Sequence, residues 1–88
     1  MSTTLFVGNL PFSMTEDSLR TLFETTGAIV ATRIVRDRET QRHKGFGFVE
    51  FETANAARAA IDEFSGRNID GRTLIVNEAR PKERVGRR

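Results

Sequence analysis

Lys44-Gly45-Phe46-Gly47-Phe48-Val49-Glu50-Phe51 places three phenylalanines within six positions. Such density points to a strand, and strand side chains alternate between two faces. Gly45, Gly47, Val49 and Phe51 then share one face, and Lys44, Phe46, Phe48 and Glu50 share the other. The first set suits a core. The second pairs two bare rings with a cation and an anion, so it belongs on a wet face.

The flanking sequence supplies the rest of a small fold. Leu5-Phe6-Val7 is a short apolar run with strand propensity, stopped by Gly8, Asn9 and Pro11. Thr15 is placed to cap a helix, with Glu16 and Asp17 in the first turn where the dipole favours acids. Met14 and Leu19 have the spacing of a hydrophobic staple. Leu19, Leu22 and Phe23 form one apolar stripe, and Gly27 is the expected stop. Ile29 to Val35 is β-branched and reads as a second strand, followed by a polar turn over Asp37 to Arg42. Phe46 to Phe51 is the third strand. Thr53 can cap a second helix from Ala54 to about Phe64, whose buried stripe is Ala57, Ala60, Ile61 and Phe64, with Gly66 ending it. Asp70-Gly71 is a tight-turn pair, and a last strand is expected over Thr73 to Ala79.

The order β-α-β-β-α-β is a split βαβ pattern, an α+β sandwich of the ferredoxin-like kind. Right-handed crossovers put both helices on one side of the sheet. Val7, Val49, Phe51, Leu74 and Val76 should meet them. The opposite face, carrying Phe6, Phe46 and Phe48, has no element left to cover it. Flat partners suit such rings, and nucleobases are flat.

Composition narrows the class. At 88 residues the chain is one domain, expected over residues 1–79. A hydrophobic fraction of 38% suffices for one modest core. The absence of Cys excludes a disulfide framework and a thiolate metal site. There is no apolar run of about eighteen residues and no signal-peptide pattern, so no membrane partner is expected. The net charge of +2 is unevenly spread. Residues 80–88 carry five basic residues and one acid, and residues 1–79 carry nine basic and eleven acidic residues. The tail is therefore expected to be basic and disordered, and the body is no general polyanion binder. Its cations are local: Arg33, Arg36, Arg38, Arg42 and Lys44 fall within twelve positions beside the aromatic strand.

These residues resemble an RNA recognition motif (RRM) from about Thr4 to Ala79, in particular the small stand-alone members of that family. Leu5-Phe6-Val7-Gly8-Asn9-Leu10 resembles the family's hexapeptide motif, and Lys44 to Phe51 its octapeptide motif, with thirty-three residues between them. Asp37-Arg38-Glu39-Thr40 and Gly71-Arg72-Thr73-Leu74 are also similar to family stretches. The resemblance implies a four-stranded antiparallel sheet with the first and third strands central and Phe6 beside Phe48. It implies single-stranded RNA as partner, bases stacked on Phe6 and Phe48, riboses against Phe46 and a phosphate on Lys44. Asn77, Glu78, Arg80 and Arg33 would read sequence, while Arg36, Arg38 and Arg42 would attract phosphates. Gly45 and Gly47 are expected to let a helix approach, and Asn9 to hold a loop or cap. With no Tyr or Trp, the rings can stack but not also hydrogen-bond, which implies weak and loosely selective binding.

Other classes fare worse. His43 is the only His and stands beside Lys44, where solvent or a phosphate suits it better than base catalysis. No second His or Cys supports zinc. Gly45-Phe46-Gly47-Phe48 lacks the third glycine of a dinucleotide fingerprint and enters a strand rather than a helix. Neither enzyme activity, metal nor cofactor is expected. The competing reading is a protein-binding module of RRM type, but such modules usually lose the sheet aromatics. The chain reads as a monomer of the cytoplasm, bacterial before eukaryotic nuclear or organellar. Its residues do not separate RNA from single-stranded DNA.

Overall fold

The structure is a computed structural model that describes residues 3–79, apart from the side chains of His43 and Lys44. Two helix starts follow from their caps. Thr15 Oγ1 accepts from the Ser18 backbone N–H at 3.1 Å and opens α1 (Glu16–Phe23). Thr53 Oγ1 accepts from the Ala56 N–H at 3.1 Å and opens α2 (Ala54–Phe64). Each bond satisfies one of the donors that a helix start leaves without a partner. α1 stops earlier than Gly27: its last turn tightens into a 3-10 segment over Glu24–Thr26.

The strands are β1 (Thr4–Gly8), β2 (Ile29–Arg36), β3 (His43–Phe51), β4 (Asn68–Ile69), β5 (Arg72–Thr73) and β6 (Ile75–Glu78). β3 begins three residues before Phe46, and the single last strand expected from Thr73 is divided in two. The cause is the Asp70-Gly71 turn, with φ of 50° and 82°. Two successive positive φ values reverse the chain tightly enough for β4 and β5 to pair with each other. Only β6 joins the main sheet. That sheet is antiparallel in the order β2-β3-β1-β6, which makes β1 and β3 the central pair.

Both helices lie on one face, and the core is built there. Leu5, Val7, Ile29, Ile34, Val49, Phe51, Leu74 and Val76 from the sheet side meet Leu19 and Phe23 of α1 and Ala56, Ala57, Ala60 and Phe64 of α2. The alanines keep α2 close to the sheet. Phe23 and Phe64, 4.4 Å apart between ring centroids, join the two helices over its centre. All five sheet residues expected to meet the helices are buried.

Candidate functional site

Strand register assembles the opposite face. Phe6 pairs directly with Phe48, Phe48 with Arg33, and Phe6 with Asn77. One row therefore crosses all four strands as Arg33, Phe48, Phe6, Asn77. The neighbouring row is Phe46, Gly8, Ile75. The Phe6 centroid lies 5.9 Å from Phe48 at an interplanar angle of 65°, and 5.7 Å from Phe46 at 39°. These are edge and tilted contacts, the arrangement aromatic quadrupoles prefer. Each ring is half-buried, steadied by its neighbours but not sealed by them. The Arg33 guanidinium carbon lies 5.9 Å from the Phe48 centroid, close enough for cation–π attraction.

Two hollows border the rings. One, of about 330 Å3, lies between Arg33, Phe48, Glu50 and Thr4. The other, of about 360 Å3, lies between Phe6, Phe46, Ile75, Phe12 and Arg72. A larger one, of about 550 Å3, sits elsewhere, between α1 and the Asp70 turn. Met14, Leu22 and Ile69 make its lining mostly apolar, Asp17 and Asp70 border it with negative charge, and it carries neither aromatic ring nor cation. The open face is therefore the better site despite its smaller hollows.

The two strand glycines matter for reasons other than the helix approach expected of them. A Cβ at Gly47 would stand 2.3 Å from the Arg33 carbonyl oxygen. Its missing side chain admits the backbone of β2, not a helix. Gly45 holds φ at 89°, a conformation other residues adopt only with strain. Asn9 does have the structural role expected. At φ 59° its Nδ2 donates to the Thr73 carbonyl at 2.8 Å, and its Oδ1 accepts from Arg72 at 3.0 Å. The end of β1 is thereby tied to the β4-β5 hairpin.

The expected cations divide. Arg33 stands on the open face. Arg38 and Arg42 are exposed on the β2–β3 turn, which Asp37 shapes by accepting from the Glu39 and Thr40 N–H groups at 2.9 and 3.0 Å. Arg36 is not brought to the rings. Its guanidinium grips Glu16 of α1 at 2.9 and 3.4 Å, while the same carboxylate accepts from the Ile34 N–H at 3.3 Å. The hydrogen bond from Arg36 holds the Glu16 carboxyl below its ordinary pKa, opposed by partial desolvation, and raises that of Arg36 in return. Arg36 clamps β2 to α1 and is held at Glu16 rather than beside the rings. Lys44 lies on β3, but its side chain, like Arg80 and the rest of the tail, falls outside the described part. Among the described residues no group of three or more His, Cys, Asp or Glu gathers as metal ligands would. No helix among them is long and apolar enough to cross a membrane.

Phe12, Arg72 and Ile75 border the rings without having been singled out from the sequence. Phe12 did leave a signal there: it is a bulky ring between Pro11 and Ser13, off every helical or strand stripe.

A family model described as RNA recognition motif matches residues 5–75. The chain belongs to the RNA recognition motif family. Glycine-rich RNA-binding protein 3, mitochondrial, of Arabidopsis thaliana is 46% identical over 97% of this chain, which spans 28% of that relative's length. RbpE of Nostoc sp. is 45% identical over 96% of this chain and 85% of its own length, so it is a protein little larger than one RRM. The solved complex of the SXL-lethal protein with RNA superposes with a TM-score of 0.82 at 37% identity, over 88% of this chain and 47% of that one. The antiparallel sheet with two helices on one face is the architecture of this RRM and of that neighbour alike.

Proposed function

We propose that this RRM binds single-stranded RNA across its open sheet face, as a monomer and without catalysis. The observation that carries the reading is the half-buried group Phe6, Phe46 and Phe48 on the two central strands, on the face that no helix among the described residues covers. Phe6 and Phe48 each stack a base, Phe46 meets the riboses between them, and Lys44 pairs with a phosphate. Base–aromatic stacking contributes roughly 1–3 kcal/mol per base and tolerates any sequence. Bases in a duplex already stack on one another, so single strands are favoured. Arg33 and Asn77, at the two ends of the ring row, supply polar contacts to base edges. Arg42, Arg80 and the other cations of residues 80–88 add salt-dependent phosphate attraction around a domain of residues 1–79.

The RNA-binding name of the Arabidopsis relative and the RNA bound to the SXL-lethal protein support RNA as the partner class. The function is then post-transcriptional: shielding, presenting or remodelling transcripts. The compartment that fits is a bacterial cytoplasm, or an organelle such as the mitochondrion named for the Arabidopsis relative.

Titration with a short single-stranded RNA, followed by backbone amide shifts, tests the proposal. Shifts should concentrate on β1 and β3. Shifts confined to Arg20, Glu24, Arg58 and Glu63, on the helical side, would point to a protein partner instead. A matched DNA strand run in parallel shows whether 2′-hydroxyls are read.

A further inference from the structure

The loop between β1 and α1 carries a ring that the core does not use. Leu10 and Pro11 are buried, yet Phe12 next to them is 62% exposed. The loop is firmly held. The Leu10 N–H donates to the Gly45 carbonyl at 2.8 Å, the Met14 N–H to the Pro11 carbonyl at 3.0 Å, and Asn9 is bonded to both Thr73 and Arg72. Phe12 is thus presented by an anchored segment, and a preorganised group loses little entropy when it binds.

Its surroundings fit one kind of ligand. The Arg72 guanidinium lies over the Phe12 ring, 4.9 Å from its centroid, with one N–H held by Asn9. A guanidinium has five N–H donors in a fixed fork, so this one still offers a cation to a phosphate or a base edge. Phe46 and Ile75 line the same hollow as the pair, Ile75 being 49% exposed. Gly8 and Gly45 also line it and contribute no side chain to fill it. A Cβ at Gly8 would stand 2.9 Å from the Phe6 ring and narrow the space. The hollow is continuous with the three-ring face, because Phe6 and Phe46 line both.

We infer that this hollow, between Phe46, Ile75 and the Phe12–Arg72 pair, holds one additional unpaired nucleotide of the strand that stacks on Phe6 and Phe48. The base lies against Phe12, and Arg72 takes the phosphate or an exocyclic acceptor. A planar ring backed by a cation suits a nucleotide in both its parts. An apolar peptide side chain would leave the cation without a use. The inference rests on the open-face reading above and extends the site around the edge of the sheet onto the β1–α1 loop.

The test is affinity for random-sequence single-stranded RNA pools lengthened one nucleotide at a time, measured by fluorescence anisotropy. Four proteins are compared: the wild type, Phe12→Ala, Phe12→Trp and Phe48→Ala. Phe48→Ala should weaken binding at every length. Phe12→Ala should match the wild type on the shortest pools and lose on the order of tenfold once the strand reaches the hollow. Phe12→Trp should keep that gain. The exposure of the ring predicts an unchanged melting temperature for both Phe12 variants. If Phe12→Ala follows the wild type at all lengths while Phe48→Ala is weak, the hollow is empty and the open-face reading survives alone. If Phe12→Ala weakens every length equally and also melts earlier, the ring is a loop brace and the inference fails. If Phe48→Ala is harmless as well, the open-face reading itself falls and takes the extra nucleotide with it.

Discussion

Phe48 and Phe51 stand three residues apart on one strand and live in different solvents. Phe51 is 1% exposed under the helices, and Phe48 is half-buried on the far side of the same sheet. The contrast runs through the molecule. Phe23, Phe51 and Phe64 are core, Phe6, Phe46 and Phe48 form the open face, and Phe12 stands out on a loop. Equal side chains therefore contribute in unequal ways. On the helical face a ring stabilises the fold by leaving water during folding. On the open face much of that gain is withheld until a partner covers the ring. A sheet with one covered face is a stable platform whose second face remains available for binding.

Substitutions can break or sharpen this division. The largest effect should come from Phe51→Ala, which leaves a cavity under both helices and costs about 3–5 kcal/mol of folding stability. Small domains hold only about 5–15 kcal/mol in total, so denaturant unfolding should show a strongly destabilised protein. A loss below 1 kcal/mol would mean the helical face is not the core. Next comes Phe48→Ala, expected to weaken RNA binding by about 1–3 kcal/mol while barely moving the melting temperature. Unfolding at unchanged intrinsic affinity would place Phe48 in the core and erase the distinction between the faces.

The smallest effect concerns the clamp between the layers. Glu16 has a depressed pKa in the folded state, so its carboxylate stabilises the fold at pH above the unfolded value. That contribution is lost as pH falls through the folded value. Glu16→Gln should therefore lower the melting temperature slightly near neutrality, because the pair is partly exposed and screened. The deficit should close once pH drops well below the ordinary carboxylate range of about 4. A deficit that persists in acid would show that the charge is not what Glu16 contributes. RNA affinity measured at neutral pH should be unchanged, which separates this clamp from the binding face.

Local chemistry made most of the fold legible in advance. Thr15 and Thr53 announce their helices because a hydroxyl at that position satisfies a donor that the helix leaves open. Alternation over Phe46 to Phe51 separates core from open face because successive strand residues must point in opposite directions. The tight turn at Asp70-Gly71 was also readable, but its consequence was not. Whether the residues after it join the main sheet or pair back on β4 depends on competition between two partners. The same limit applied to Gly47, whose missing side chain admits the carbonyl of Arg33, a residue fourteen positions away in the chain.

The amino-acid order alone determined that this chain makes a half-covered sheet with rings on its bare side, because periodicity, caps and turns act between near neighbours. Only the tertiary structure decided which distant groups meet. It seated Phe6 opposite Phe48, which the family resemblance had implied but periodicity could not, turned Arg36 away from the rings onto Glu16, and set Arg72 over Phe12 at the edge of the face. Those choices depend on strand register and on where a loop is pinned, and both are set by the packing of the whole molecule.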